Sequence, residues 1–273
     1  MTKVLKIYIA GITFEKSTKR SSVENLVNST SIFLRHINFQ VFSRLISFQN
    51  ENALIEFDFQ GHDRIRTRSG YRILSNFFAS RIGKISYLIK IYVVSIFSRN
   101  RNKLRRGKKY SWKQLNLTGK HVFIWQDFLE TDSEFLLVFE DDVLGDLESD
   151  RRLAEIIQQI STINDRPIFV NLIHEFDLRS KSIKTDILNL PSYFYNTEVF
   201  ANTTGAYIVN REMAGYLFEA ILTNPNLRVV GADWLIGLLG MKFKDNARSL
   251  CLNVLPGVFY NQSLSTNTSS LEN

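Results

Sequence analysis

The chain has a single cysteine, Cys251, so no disulfide can close within it and no thiolate cluster can hold zinc. Within LCLNVL that residue reads as a small core side chain. One cysteine, with an opening MTKVLKIYIAGITF whose apolar stretch is too short and strand-like for a signal sequence, points to a reducing cytosol. Prolines number 4 and glycines 13 in 273 residues, which excludes collagen-like and linker-dominated chains. No run is long enough to span a bilayer. The best candidate, ISYLIKIYVVSIF at 85–97, has 13 residues and carries Lys90, where a span needs about 20 mostly apolar residues. Acid is missing too, from one long window: between Arg64 and Gln126 there is no Asp or Glu. Of the 34 Lys and Arg residues, 16 lie in that window, so the remainder carries 18 basic against 27 acidic residues, a net of −9. A basic block is set inside an acidic protein.

What is present is ordinary for a globular chain: 44% hydrophobic and 22% charged residues, with 21 Phe and 10 Tyr. VLKIYIAGI (4–12) reads as a first strand. Ser21-Ser22-Val23-Glu24 has the form of a capping box, and Val23, Leu26, Val27 and Leu34 then share one helical face. Strands are expected at 39–48 and 53–59. Apolar residues from Leu74 to Ile96 recur at helical steps among Arg72, Arg81, Lys84, Lys90 and Arg99, the pattern of a long basic amphipathic helix. A helix at 118–129, a strand at 134–139 and a helix marked by Leu153, Ile156, Ile157 and Ile160 follow. Further strands are expected at 167–172, 204–209 and 250–255. Asn210 is placed to cap a helix lined by Ala214, Leu217, Phe218 and Ile221, and Gly231-Ala232-Asp233-Trp234 opens a short one. Strands alternating with helices indicate an α/β layer architecture. One domain over 1–263, with residues 60–116 as a basic helical insertion and 264–273 as a loose tail, accounts for the pattern most simply.

FLLVFEDDVL (135–144) carries the chemistry. Its apolar half suits a buried strand, and ligands in open α/β sheets bind beyond the carboxyl ends of strands. Continued strand geometry would turn Glu140 and Asp142 to the same side. Two hard oxygen ligands suit Mg²⁺ or Mn²⁺, ions that keep several waters and bridge to substrate phosphates. The plainer reading of the same residues is an acidic turn, with Asp150 capping the next helix.

The order of Lys120-His121-Val122-Phe123-Ile124-Trp125, then FLLVFEDDV, then Thr204-Gly205-Ala206-Tyr207, Val230-Gly231-Ala232-Asp233-Trp234-Leu235 and Gln262-Ser263 resembles the lipopolysaccharide glycosyltransferases of family 25. The acidic triplet resembles the Asp-x-Asp motif of GT-A glycosyltransferases. Lys120 stands where the family pattern has a small residue, and residues 60–116 have no counterpart. The resemblance implies a GT-A-like nucleotide-sugar-binding fold, a mixed central sheet flanked by helices. It implies an inverting, metal-dependent hexosyltransferase moving a sugar, galactose from UDP-galactose above others, to a hydroxyl of a lipopolysaccharide, lipid-linked or other surface oligosaccharide.

By that resemblance, Asp142 and Glu140 would hold Mn²⁺ or Mg²⁺. Ala10, Gly11, Lys16, Arg20, Glu140 and Asp141 would contact the nucleotide. Asp233 would be the catalytic base, or else only a helix cap. Thr204, Gly205, Trp234 and Gln262 would line the substrate site, Trp234 either stacking on a sugar or packing in the core. His121 reads more readily as a satisfied helix histidine than as a ligand, and His174 is a weaker metal candidate.

The basic block suits either a helix packed on the core with a solvated rim or contact of residues 71–109 with an anionic membrane surface. The second would place a cytoplasmic enzyme peripherally at the inner face of the membrane. Nucleic-acid binding is disfavoured, since no recognition motif accompanies the charge. A non-catalytic sugar-binding relative is opposed by the intact triplet.

Overall fold

The computed structural model describes residues 4–14, 17–47, 112–163, 166–173, 182–184, 194–197, 204–223, 227, 231–232, 235–236, 239 and 250–262. The expected strand at 53–59 and the basic helix lie outside these residues. Ten strands are described: β1 (Lys6–Ile12), β2 (Gln40–Ile46), β3 (Phe135–Glu140), β4 (Val143–Leu144), β5 (Ile168–Asn171), β6 (Ser182–Lys184), β7 (Phe194–Thr197), β8 (Ala206–Asn210), β9 (Leu250–Val254) and β10 (Tyr260–Asn261). The long helices are α1 (Arg20–His36), α2 (Trp112–Leu129), α3 (Leu147–Ile160) and α4 (Arg211–Thr223).

Eight strands form one mixed sheet in the order β2-β1-β3-β8-β5-β9-β7-β6, and β10 pairs with β4 beside it. β1 runs parallel to β2 and to β3, while β8 runs antiparallel to both β3 and β5. Helices cover both faces, so the central strands are apolar throughout rather than alternating. In β3, Phe135, Leu137 and Phe139 enter the core beneath α1 and α3, and Leu136 and Val138 enter the core beneath α2 and α4. Ile7 and Ile9 against Tyr8 and Ala10 divide β1 in the same way.

The helix ends differ in detail from the sequence pattern. α1 begins at Arg20 with Lys19 at its N-cap and no side-chain cap, so the 21–24 capping box does not form. Ser17 Oγ accepts the Lys19 N–H instead, at 3.1 Å. α3 is capped by Asp146, which accepts from Ser149 N–H at 2.8 Å; Asp150 lies within the helix and accepts from Thr30 Oγ1 at 2.6 Å. Asn210 caps α4 as expected, accepting from Met213 N–H at 3.0 Å. α2 starts six residues before the expected 118. Its far end is closed by Arg211, whose guanidinium donates to the carbonyls of Phe128, Leu129, Thr131 and Ser133. Short strands β4, β6, β7 and β10 carry no periodicity long enough to read in advance.

Candidate functional site

The chain runs from β1 through α1 out to β2, then returns to β3 on the other side of β1. That reversal makes the crevice beyond the carboxyl ends of β1 and β3 a topological switch point, where open α/β sheets bind ligands. Parallel register sets Ile12 beside Glu140. The residues that follow, Thr13 on one side and Asp141 on the other, therefore meet at the sheet edge. Antiparallel β8 enters at the same edge: Glu140 N–H donates to Gly205 O at 2.7 Å.

β3 ends at Glu140, and Asp141 and Asp142 form a turn. Strand alternation therefore does not continue through the triplet as expected, and the three carboxylates are held by different parts of the fold. Glu140 Oε1 accepts from Thr204 Oγ1 and lies 3.0 Å from His121 Nε2. Asp141 Oδ2 accepts from Ser17 Oγ at 2.7 Å and from Thr13 Oγ1 at 3.5 Å. Asp142 is buried, and its carbonyl accepts the Gln262 N–H at 2.8 Å, which continues the β4–β10 pairing. Burial, then the charge of Asp142, raises the Glu140 carboxyl to about 8, with the Thr204 hydrogen bond opposing and Asp141 adding to the rise.

Thr204, Gly205 and Gln262 are thus brought to the triplet. Gly205 is needed there for space: a Cβ would stand 2.6 Å from Ile173 Cδ1 and 3.3 Å from Val143 Cγ2. Ala10 and Gly11 lie inside β1, short of its carboxyl end. Ala10 is buried in the core, and a Cβ on Gly11 would meet Val27 Cγ2 at 2.9 Å, so Gly11 lets α1 approach the strand. Arg20 is exposed in the first turn of α1. Lys16, His174, Asp233 and Trp234 lie outside the described residues. Around the last two, Ala232, Leu235 and Ile236 are buried and helical, and Leu235 N–H donates to Gly231 O at 2.9 Å.

Three residues join the site that the sequence reading did not assign to it. Ser17 links the start of α1 to Asp141. Lys120 is wholly buried, donates from Nζ to Thr13 O and sits 4.1 Å from the centre of the Phe14 ring, setting a cation at the end of β1. His121 is also wholly buried, with Nδ1 2.9 Å from Tyr207 Oη and Nε2 on Glu140. The i, i+4 spacing of His121 and Trp125 was the available signal, because both indole and imidazole converge on Tyr207.

The sequence model of glycosyltransferase family 25 (LPS biosynthesis protein) matches residues 5–233. The chain belongs to glycosyltransferase family 25. No curated protein sequence matches it at a significant level. Family membership makes it a glycosyltransferase of lipopolysaccharide biosynthesis, with a nucleotide-sugar donor and an acceptor as its partners.

Among the described residues, no three His, Cys, Asp or Glu side chains are grouped to hold a metal ion. The donor set fits a divalent cation that is only partly protein-bound. Glu140 and Asp141 each place one carboxylate oxygen on protein hydrogen-bond donors, Oε1 and Oδ2, and the triplet offers only hard oxygen donors. Mg²⁺ characteristically takes one or two carboxylates and completes its shell with phosphate oxygens and water. No helix among the described residues is long and apolar enough to cross a membrane.

Proposed function

We propose that this family 25 member is an inverting GT-A-type hexosyltransferase, assisted by Mn²⁺ or Mg²⁺. It moves a sugar, galactose from UDP-galactose first among the candidates, to a hydroxyl of a lipopolysaccharide or other cell-surface oligosaccharide. The observation that carries the reading is the delivery of Glu140, Asp141 and Asp142 to the β1–β3 switch point of a family 25 chain. The mixed sheet, with antiparallel β8 between β3 and β5, agrees with a GT-A-like fold.

Asp142 and Glu140 are the residues that would hold the cation, and Asp141, with Ser17, faces the nucleotide. A divalent cation supplies charge neutralisation for a departing diphosphate. Thr204, Gly205, Trp234 and Gln262 line the substrate side, and Ala10, Gly11, Lys16 and Arg20 belong to the nucleotide side. Asp233 takes the proton of the acceptor hydroxyl; the resulting oxygen bonds to the anomeric carbon as the bond from that carbon to the diphosphate breaks, and UDP leaves. One backside displacement inverts the anomeric configuration.

Residues 1–263 act as one glycosyltransferase domain in this reading, with 60–116 as a basic helical insertion. The enzyme works on the cytoplasmic side, and residues 71–109 bind the anionic inner face of the membrane, where a lipid-linked acceptor would be presented. The charge of that window supports the membrane assignment. Release of UDP from UDP-galactose, with and without Mn²⁺, tests the function. Activity should require the cation and should be lost in Asp142→Ala while the melting temperature is retained. A fully active Asp142→Ala protein would remove the metal assignment. Salt-sensitive binding to phosphatidylserine vesicles, lost on deleting 71–109, tests the membrane contact; equal binding by the deletion variant would reject it.

A further inference from the structure

Behind Glu140 lies a buried file of polar groups: Trp125 Nε1, Tyr207 Oη and His121. Trp125 Nε1–H donates to Tyr207 Oη at 3.1 Å, Tyr207 Oη lies 2.9 Å from His121 Nδ1, and His121 Nε2 lies 3.0 Å from Glu140 Oε1. All three rings are fully buried. An indole nitrogen can only donate, so Tyr207 Oη must accept from it. Burial pushes the Tyr207 hydroxyl above its ordinary range, so it keeps its proton. Among the described residues, Trp125 and His121 are the only hydrogen-bond partners of that hydroxyl. Its proton is satisfied only if His121 Nδ1 accepts it, because an unmatched buried O–H is costly. His121 is then the Nε2–H tautomer, and Nε2–H donates to Glu140. The whole file donates in one direction, from the core to the sheet edge.

Both donors that reach Glu140, His121 and Thr204, fall on Oε1. Among the described residues, Oε2 receives none. The Glu140 side chain is 16% exposed, whereas the His121 side chain is wholly buried. The ring packing keeps the file in place: Tyr207 stacks on Phe169 at 5.3 Å and on His121 at 5.7 Å between centroids.

We propose that Trp125, Tyr207 and His121 are positioning residues of the donor site. They fix the His121 tautomer and, with Thr204, clamp Oε1 of Glu140, so that Oε2 is the oxygen presented to a cation and diphosphate. The ligand side of this statement rests on the reading of the function above; the tautomer and the clamp do not. Partners one step behind a ligand characteristically change metal affinity 10- to 100-fold when removed.

The test has two readouts. In uniformly ¹⁵N-labelled full-length protein without nucleotide, two-bond ¹H–¹⁵N correlations should show His121 with a bare Nδ1 and a protonated Nε2. Tyr207→Phe, which removes one oxygen and keeps the ring stack, should leave Nε2 protonated against Glu140 and move the bare Nδ1 resonance downfield as its donor is lost. A wild-type His121 protonated at Nδ1, alone or together with Nε2, would overturn the proposal. The second readout is Mn²⁺ affinity in the presence of UDP, followed by the Mn²⁺ electron paramagnetic resonance signal. Tyr207→Phe and His121→Leu should weaken it about 10- to 100-fold, and His121→Gln, which keeps an N–H donor, should recover most of the loss. Equal affinities in wild type, Tyr207→Phe and His121→Leu would also overturn it. Wild-type protein with the expected tautomer and no UDP-dependent Mn²⁺ binding would instead count against the functional reading and leave the clamp standing.

Discussion

Gly205→Ala should damage stability and the site together, for a reason confined to two atoms. An added Cβ would lie 2.6 Å from Ile173 Cδ1, closer than two non-bonded carbons can approach, and 3.3 Å from Val143 Cγ2, itself a tight contact. Ile173 is only 3% exposed and belongs to the core under α1 and α3, so its methyl has little room to yield. Overpacking by one methyl in such a place costs about 1–3 kcal/mol. For a domain of this size each kcal/mol moves the melting temperature by roughly 2–4 °C, so a fall of roughly 2–12 °C is expected. The same displacement acts on Gly205 O, the acceptor of Glu140 N–H, and on Thr204, which holds Glu140 Oε1. UDP binding should weaken with stability.

Ile173→Val supplies the control, because it deletes Cδ1 itself and alone costs about 0.5–1.5 kcal/mol. The double variant should be more stable than the sum of the two losses by about 1 kcal/mol. Denaturant unfolding of the four proteins measures this. Strict additivity, or a Gly205→Ala protein as stable as wild type, would refute the steric account.

Other perturbations have separate outcomes. Thr30→Val removes the hydroxyl that donates to buried Asp150 and should cost about 1–3 kcal/mol at pH 7. Burial already raises the Asp150 carboxyl and Thr30 opposes that rise, so the variant raises it further. The loss is complete where Asp150 is ionised and should shrink as pH falls through the raised folded-state range, above the ordinary carboxylate value, so unfolding at pH 7 should show it and unfolding at pH 3 should not. Arg211→Met withdraws the donor from four carbonyls at and just beyond the end of α2 and should cost about 2 kcal/mol by denaturant unfolding, with little change in UDP affinity. Ser17→Ala removes the donor to Asp141 and the acceptor of Lys19 N–H. It should weaken UDP binding roughly 10-fold by calorimetric titration, a change worth about 1.4 kcal/mol.

The parts of this fold that were legible in the sequence are those written by long periodic patterns. FLLVF gave β3 because a strand covered on both faces is apolar at every position, and Val23, Leu26, Val27 and Leu34 gave the buried side of α1. The acidic triplet showed where the strand met the edge. The roles of its members could not be read from spacing, because alternation holds only while the strand does, and the chain turns after Glu140. Ser17, Lys120 and His121 were not assigned to the site for a related reason. Each meets its partner across more than one element: Ser17 with Asp141, Lys120 with Thr13, His121 with Tyr207 and Glu140. Serine, lysine and histidine at those points have no periodicity of their own. Ala10 and Gly11 show that a strand leading to a binding edge also packs along its length: Ala10 is buried, and the missing Cβ of Gly11 leaves room for Val27 of α1.

The central claim is that the β1–β3 switch point binds a nucleotide diphosphate through the acidic triplet with a divalent cation. Thermal unfolding of wild-type protein and Asp142→Asn, each with UDP alone, Mn²⁺ alone and both, tests it most directly, since a ligand that binds only the folded state raises the melting temperature. The account predicts a rise in wild type with UDP and Mn²⁺ together that exceeds the separate effects and disappears in Asp142→Asn. An equal rise in Asp142→Asn, or none in wild type at saturating UDP and Mn²⁺, would contradict it.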